Sequence, residues 1–127
     1  MSLTLHGIET CDSCRGARRW LAAHGLAARF HDLRRDGLDR PMIERWLSRV
    51  PAGELLNRRG QSWRRLPEAH RPEPGDEIGI IEALLTEPLL VKRPVLEGAG
   101  LLLIGFTEPA YRRLLDAASG LPRPDAR

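Results

Sequence analysis

Two cysteines three positions apart, Cys11 and Cys14, stand at the junction between a short apolar run and an amphipathic one, and no other feature constrains the chain as much. The run from Leu3 to His6 ends at Gly7 and reads as a strand. From Ser13 to Ala23, the stretch SCRGARRWLAA sets Ala17, Trp20, Leu21 and the Ala23/His24 pair at helical spacing, with Gly25 as a natural stop. Ala28 to Leu33 alternates apolar and polar and reads as a second strand. Strand, helix and strand within about 30 residues suggest a βαβ unit with a right-handed crossover. The cysteine pair would then sit where the first strand ends and the helix begins.

The remaining signals complete one domain. Asp36-Gly37 marks a turn. Leu38, Met42, Ile43, Trp46 and Leu47 follow at helical intervals, with Asp39 as N-cap, Pro41 in the first turn and Pro51 beyond the end. Leu55 to Leu66 reads as a basic connection with a short helix around Trp63. RPEPG at Arg71 to Gly75 is a breaker, and Glu77 to Thr86 is a further helix. Pro94 to Leu96 and Leu101 to Ile104 read as a hairpin across a four-residue loop, Glu97 to Gly100. Glu108 to Ala118 is a last helix, and the tail from Leu121 is expected to be loose. Two parallel strands plus an antiparallel pair, covered by helices, predict an α/β fold: a thioredoxin-like mixed sheet with an inserted helical subdomain. The expected division of the single domain 1–127 is two halves, about 1–38 and 87–119, around a helical insertion, about 39–86.

Composition narrows the function. The chain of 127 residues carries 20 Lys+Arg against 17 Asp+Glu, a formal charge of +3, with acids spread among the arginines. That balance speaks against a nucleic-acid binder, whose cations gather on one face. The exception is RRGQSWRR, four arginines within Arg58 to Arg65. A hydrophobic fraction of 42% supports a true core. No apolar run approaches the roughly 20 residues of a membrane span. MSLTLHGIET lacks a signal-peptide layout, so a soluble cytoplasmic protein, a monomer without a membrane partner, is expected.

In that compartment Cys11 and Cys14 point to redox or metal chemistry. A sulfur at a helix N-terminus meets unpaired N–H groups and the positive end of the helix dipole, both of which favour the thiolate. Cys11 is then the attacking sulfur and Cys14 the resolving one. Arg15 is the cation expected nearest the sulfur, while Asp12 works against a very low thiol pKa. Half a zinc site completed by His6 and His31, or two inert cysteines, are the competing readings; no second cysteine pair exists. No bound metal or cofactor is expected.

A second constellation is Lys92-Arg93-Pro94, two cations before a proline that starts a strand. A cis bond at Pro94 would present backbone groups beside the cysteine loop. Arg93 could hold a carboxylate or oxyanion bidentately, as Lys92 cannot; a solvated basic turn is the plain alternative. Trp20 and Trp46 fall on apolar helix faces and belong to the core, and Trp63 lies among arginines. His6 and His31 belong on strands.

These residues resemble the ArsC/Spx family of thioredoxin-fold proteins, from about Leu3 to Leu115. The segments that carry the resemblance are Cys11 to Arg15 with the helix after it, FHDLRRDGLD, ELLNRRGQSWRRL, LVKRPVL and LIGFTEPAYRRLL. The second and third are most similar to the YffB-like branch, small proteins proposed to be glutathione-dependent thiol reductases. The resemblance implies Cys11 as catalytic cysteine, Arg15 as the arginine four residues on, and Arg93 as the active-site arginine before a cis Pro94. It implies glutathione or a small thiol as co-substrate, with Arg58, Arg59, Lys92 and Pro94 at the substrate. Three positions depart from the arsenate reductases. Ile104-Gly105-Phe106 holds no third arginine, the arginine after the paired leucines falls at Asn57, and Gly7 replaces a histidine. Spx-type members imply an alternative, a redox-switched regulator that binds the C-terminal domain of the RNA polymerase α subunit. Pro51-Ala52-Gly53 matches the loop they use.

Overall fold

Alternation along β1 (Leu3–Gly7) sets the layering. Leu3 and Leu5 face one side of the sheet, and His6 turns to the other, against Trp46. The computed structural model describes residues 2–119; the tail from Leu121 lies outside the described residues. β1 pairs in parallel with β2 (Arg29–Asp32) and antiparallel with β3 (Val95–Gly98), which pairs antiparallel with β4 (Leu101–Ile104). The order is β2-β1-β3-β4, a mixed α/β sheet.

The face of Leu3 and Leu5 is covered by α1 (Asp12–Ala23) and α6 (Glu108–Ser119). Ala17, Trp20 and Leu21 of α1 and Tyr111 and Leu114 of α6 pack there with Leu96 and Leu103. The opposite face is covered by α2 (Arg40–Leu47), α3 (Ala52–Leu55), α4 (Gln61–Arg65) and α5 (Glu77–Thr86), which lie between β2 and β3 in the chain. Ile43, Trp46, Leu55, Ile80 and Leu84 are fully buried in that layer. Each such side chain stabilises the fold by roughly 1.5–3 kcal/mol. Asp39 caps α2 as expected, its carboxylate accepting from Met42 N at 3.0 Å.

Two local expectations are corrected. The loop read at Pro51 to Gly53 is the start of a helix: Pro51, with φ −62°, is the N-cap of α3. Gly53 packs closely, since a Cβ there would lie 3.3 Å from Pro74 O and that backbone would have to give way slightly. The four-residue hairpin loop is also shorter. Glu97 and Gly98 continue β3, and the turn is Ala99-Gly100, both with positive φ (54° and 74°). That geometry matches the twist of the flanking strands, which a two-residue loop must follow.

One junction positions the site. Leu56 forms an antiparallel bridge with Val91, Asn57 N donates to Leu90 O at 2.8 Å, and Lys92 N donates to Leu55 O at 2.7 Å. This pairing clamps the inserted helices against the segment leading to Pro94. The Arg93–Pro94 bond is cis, and Pro94 O accepts from Gly105 N at 2.8 Å.

Candidate active site

Cys11 is the N-cap of α1, with extended backbone (φ −82°, ψ 125°) and a half-buried side chain. The loop before it is fixed from below by Asp32, at the end of β2. Its carboxylate accepts from Glu9 N at 3.3 Å, Arg34 N at 2.9 Å and Arg35 N at 3.0 Å. Burial opposes that charge, but the three amides outweigh it and hold the carboxyl below its usual pKa. Cys11 N in turn donates to Ile8 O at 3.2 Å.

The two sulfurs sit in opposite environments. Desolvation raises the pKa of Cys11, but the Cys14 backbone amide, the Cys14 thiol and the Arg93 guanidinium together bring it below an ordinary thiol. No capping bond of conventional geometry closes on this sulfur; the amide acts as a nearby dipole, as expected at a helix N-terminus. Cys14 is fully buried, and burial, with Cys11 adding to it, pushes its thiol up to about 12. A Cβ at position 7 would collide with Cys14 Sγ, so Gly7 is what lets the inner sulfur pack this close to β1. Tyr111, also fully buried, has its phenol pushed up by burial and by Cys14.

Arg93 supplies the positive charge at Cys11, and its Nη1 donates to Leu89 O at 2.7 Å. It also lines a cavity of about 340 Å³ with Arg34, Asn57, Gln61, Ser62 and Arg65. Pro94 is buried behind it. Arg15, expected nearest the sulfur, is directed elsewhere: Nε donates to Glu9 O at 3.0 Å and Nη1 lies 3.9 Å from Asp12 Oδ1. Asp12 is fully solvated, which blunts its expected effect on the thiolate. Arg58, Arg59 and Lys92 are exposed and do not line the cavity. Arg58 lies 5.6 Å from the Trp63 ring centroid, and Lys92 passes over Gly105. Trp63 itself is half-buried. Of the residues that do line it, the sequence offered Arg65 as one of four arginines able to meet a carboxylate, and Asn57 as the position of the family's arginine. Gln61 and Ser62 inside the basic tract, and Arg34 inside FHDLRRDGLD, were not singled out as site residues, and the tract could not tell Arg65 from Arg58.

The histidines serve the opposite face. His6 is buried, donates Nε2–H to Glu97 Oε1 at 2.8 Å, and meets His31 at a tilt and Trp46 edge-on, with ring centroids 5.0 and 5.1 Å away. Arg45 closes on both oxygens of Glu97, each at 2.8 Å. Burial pulls the His6 pKa down to about 4, against the pull of Glu97. Glu97 itself falls to about 2, chiefly through Arg45. Among the described residues no group of three or more His, Cys, Asp or Glu is placed to hold a metal ion, and no helix is long and apolar enough to cross a membrane.

A mixed four-stranded sheet, a helix opening on a Cys-x-x-Cys pair and a cis proline leading into β3 make this a thioredoxin-like α/β domain. The chain belongs to the ArsC family, whose sequence profile matches residues 6–114, and within it to the YffB-like branch. The solved structure of a YffB protein is 40% identical, with a TM-score of 0.82, and the match covers 88% of this chain and 97% of that one. The solution structure of an arsenate reductase (ArsC) related protein from Brucella melitensis is 43% identical, with a TM-score of 0.71 and coverage of 91% and 95%. The regulatory protein MgsR of Bacillus subtilis is 30% identical over 106 residues, 82% of each chain.

Proposed function

We propose that this protein is a glutathione-dependent thiol–disulfide oxidoreductase of the arsenate-reductase-like class, working in the cytoplasm as a monomer without metal or bound cofactor. The observation that carries the reading is the division between the sulfurs: an accessible Cys11 with a depressed pKa, backed by a sealed Cys14 that stays protonated at neutral pH. The Cys11 thiolate attacks one sulfur of a substrate disulfide. A Cys11–substrate disulfide forms, and the other half leaves as a thiolate that takes a proton from solvent. Cys14 then loses its proton and attacks Cys11 Sγ, releasing the bound half as thiol and leaving a Cys11–Cys14 disulfide. Two glutathione molecules reduce that bond and leave as glutathione disulfide. Alternatively, one glutathione attacks the first mixed disulfide directly. Arg93 steadies the thiolate, and its cavity takes the anionic part of the substrate.

Glutathione-coupled reduction of a small disulfide tests this. Cys11→Ser is expected to abolish turnover, and Cys14→Ser to retain part of it through direct glutathione attack. Equal loss in both variants would make the internal disulfide obligatory, and full activity in Cys11→Ser would reject the mechanism.

The MgsR relationship favours a second reading, a redox-switched regulator that docks on the RNA polymerase α C-terminal domain. Capture by that domain that changes between reduced and oxidised protein, without turnover, would select it.

A further inference from the structure

The cavity beside Arg93 is walled by three arginines and three neutral polar side chains, with no carboxylate among its lining residues. Four arginines outside it do face acids: Arg15 with Asp12, Arg35 with Asp36 and Glu9, Arg40 with Glu82, and Arg45 with Glu97. Among the described residues Arg34, Arg65 and Arg93 form no ion pair. Arg93 Nε is buried without a hydrogen-bond partner, and Arg65 reaches only Gln61 Oε1, at 3.4 Å. Arg34 has its backbone amide fixed by Asp32, and the residue borders both this cavity and a second one of about 290 Å³ beside Glu9 and Thr10, on the loop before Cys11. Three unmatched cations thus run from the cysteine loop along one groove. At about 340 Å³ the groove lies at the small end of sites that enclose organic ligands. A lone tetrahedral oxyanion would engage one part of it and leave the other cations unanswered.

We propose that Arg34 and Arg65 are specificity residues, which select a small peptide-like thiol carrying two separated carboxylates, one met by Arg93 and the other by the Arg34–Arg65 pair. This deepens the oxidoreductase reading and rests on it for the identity of the reacting sulfur. Arg58 and Arg59, the neighbours in sequence, take no part.

Calorimetric titration of the full-length Cys11→Ser protein with S-methylglutathione, which cannot react, tests the groove without turnover. Its diethyl ester, with both carboxylates masked, is the matched control. The dicarboxylate is expected to bind at least about tenfold more tightly than the diester, the effect of one charge-assisted hydrogen bond. Arg65→Gln and Arg34→Gln should each weaken the dicarboxylate about tenfold and leave the diester unchanged. Arg58→Gln should change neither. Equal affinity for the two compounds, no binding of either, or an Arg58→Gln loss as large as that of Arg65→Gln would overturn the proposal. The two failures are separable. If the wild-type protein shows no glutathione-coupled turnover but the calorimetric preference holds, the oxidoreductase reading falls and the groove assignment stands. Turnover with no preference for the dicarboxylate is the reverse.

Discussion

At the Gly98 end of β3, Arg45 closes on both oxygens of Glu97, and His6 donates to the same carboxylate from beneath. At the Pro94 end, Arg93 donates to a backbone carbonyl and faces a thiol, and no acid answers it or its groove neighbours Arg34 and Arg65. The same residue type therefore stands in two electrostatic states on one strand's flanks. Matched with a carboxylate, arginine ties α2 to the sheet and contributes to stability. Left unmatched beside a reactive sulfur, it adds little to the fold and keeps its charge available to a ligand.

Acid should break the matched end first. His6 has a folded pKa of about 4 against 6.5 unfolded, so between those values the unfolded chain takes up a proton that the folded one refuses. Stability should therefore fall as pH drops from 6.5 to 4, by roughly 3 kcal/mol in all. Glu97 adds a second loss as pH falls from about 4.5 toward its folded value of about 2. Urea unfolding at a series of pH values reads both. His6→Gln should flatten the upper window, and an unchanged slope would remove His6 from the account.

Mutation sharpens the same contrast. Glu97→Ala leaves Arg45 and His6 without their acceptor and should cost about 2 kcal/mol, less than for a wholly buried pair because Arg45 is half exposed. Arg65→Ala at the unmatched end should stay within about 0.5 kcal/mol. Comparable losses in the two variants would erase the distinction. Arg93→Gln should raise the Cys11 thiol pKa, because the guanidinium that favours the thiolate is gone, with little change in the urea midpoint. Thiolate absorbance or the pH dependence of alkylation measures that shift, and Arg45→Gln is the control that should not produce it. The smallest expected effect lies at the hairpin. Ala99 holds φ 54°, so Ala99→Gly should stabilise the fold by about 0.5–1 kcal/mol and touch neither end of the comparison.

How much of this could be read in the sequence follows from the range of each interaction. β1, α1 and β2 were legible because their signals are local: alternation, helical spacing, and Gly25 as a stop, which takes φ 68°. Asp39 as N-cap and Trp20 and Trp46 as core residues were legible for the same reason. α3 was not, because a proline that ends one helix also suits the residue just ahead of the next, and Pro51 does both. Cys11 and Cys14 were visible as a pair, and Arg93 and Pro94 as a cation before a strand-starting proline, a reading the family resemblance sharpened. The groove was invisible, since it exists only where the Leu56–Val91 bridge brings α4 beside Arg93. Local spacing could offer Arg15 as the sulfur's partner, but the helix turns that side chain back to Glu9 O.

The complete burial of Cys14, packed against Gly7, has a consequence for traffic through the molecule. With no solvent path to the inner sulfur, every electron pair entering or leaving the dithiol must cross the outer one, so the two atoms are wired in series. An oxidant can load only the first position, and the second stays in reserve, beyond the reach of peroxide or alkylating agents until its neighbour presents it with a bond to break.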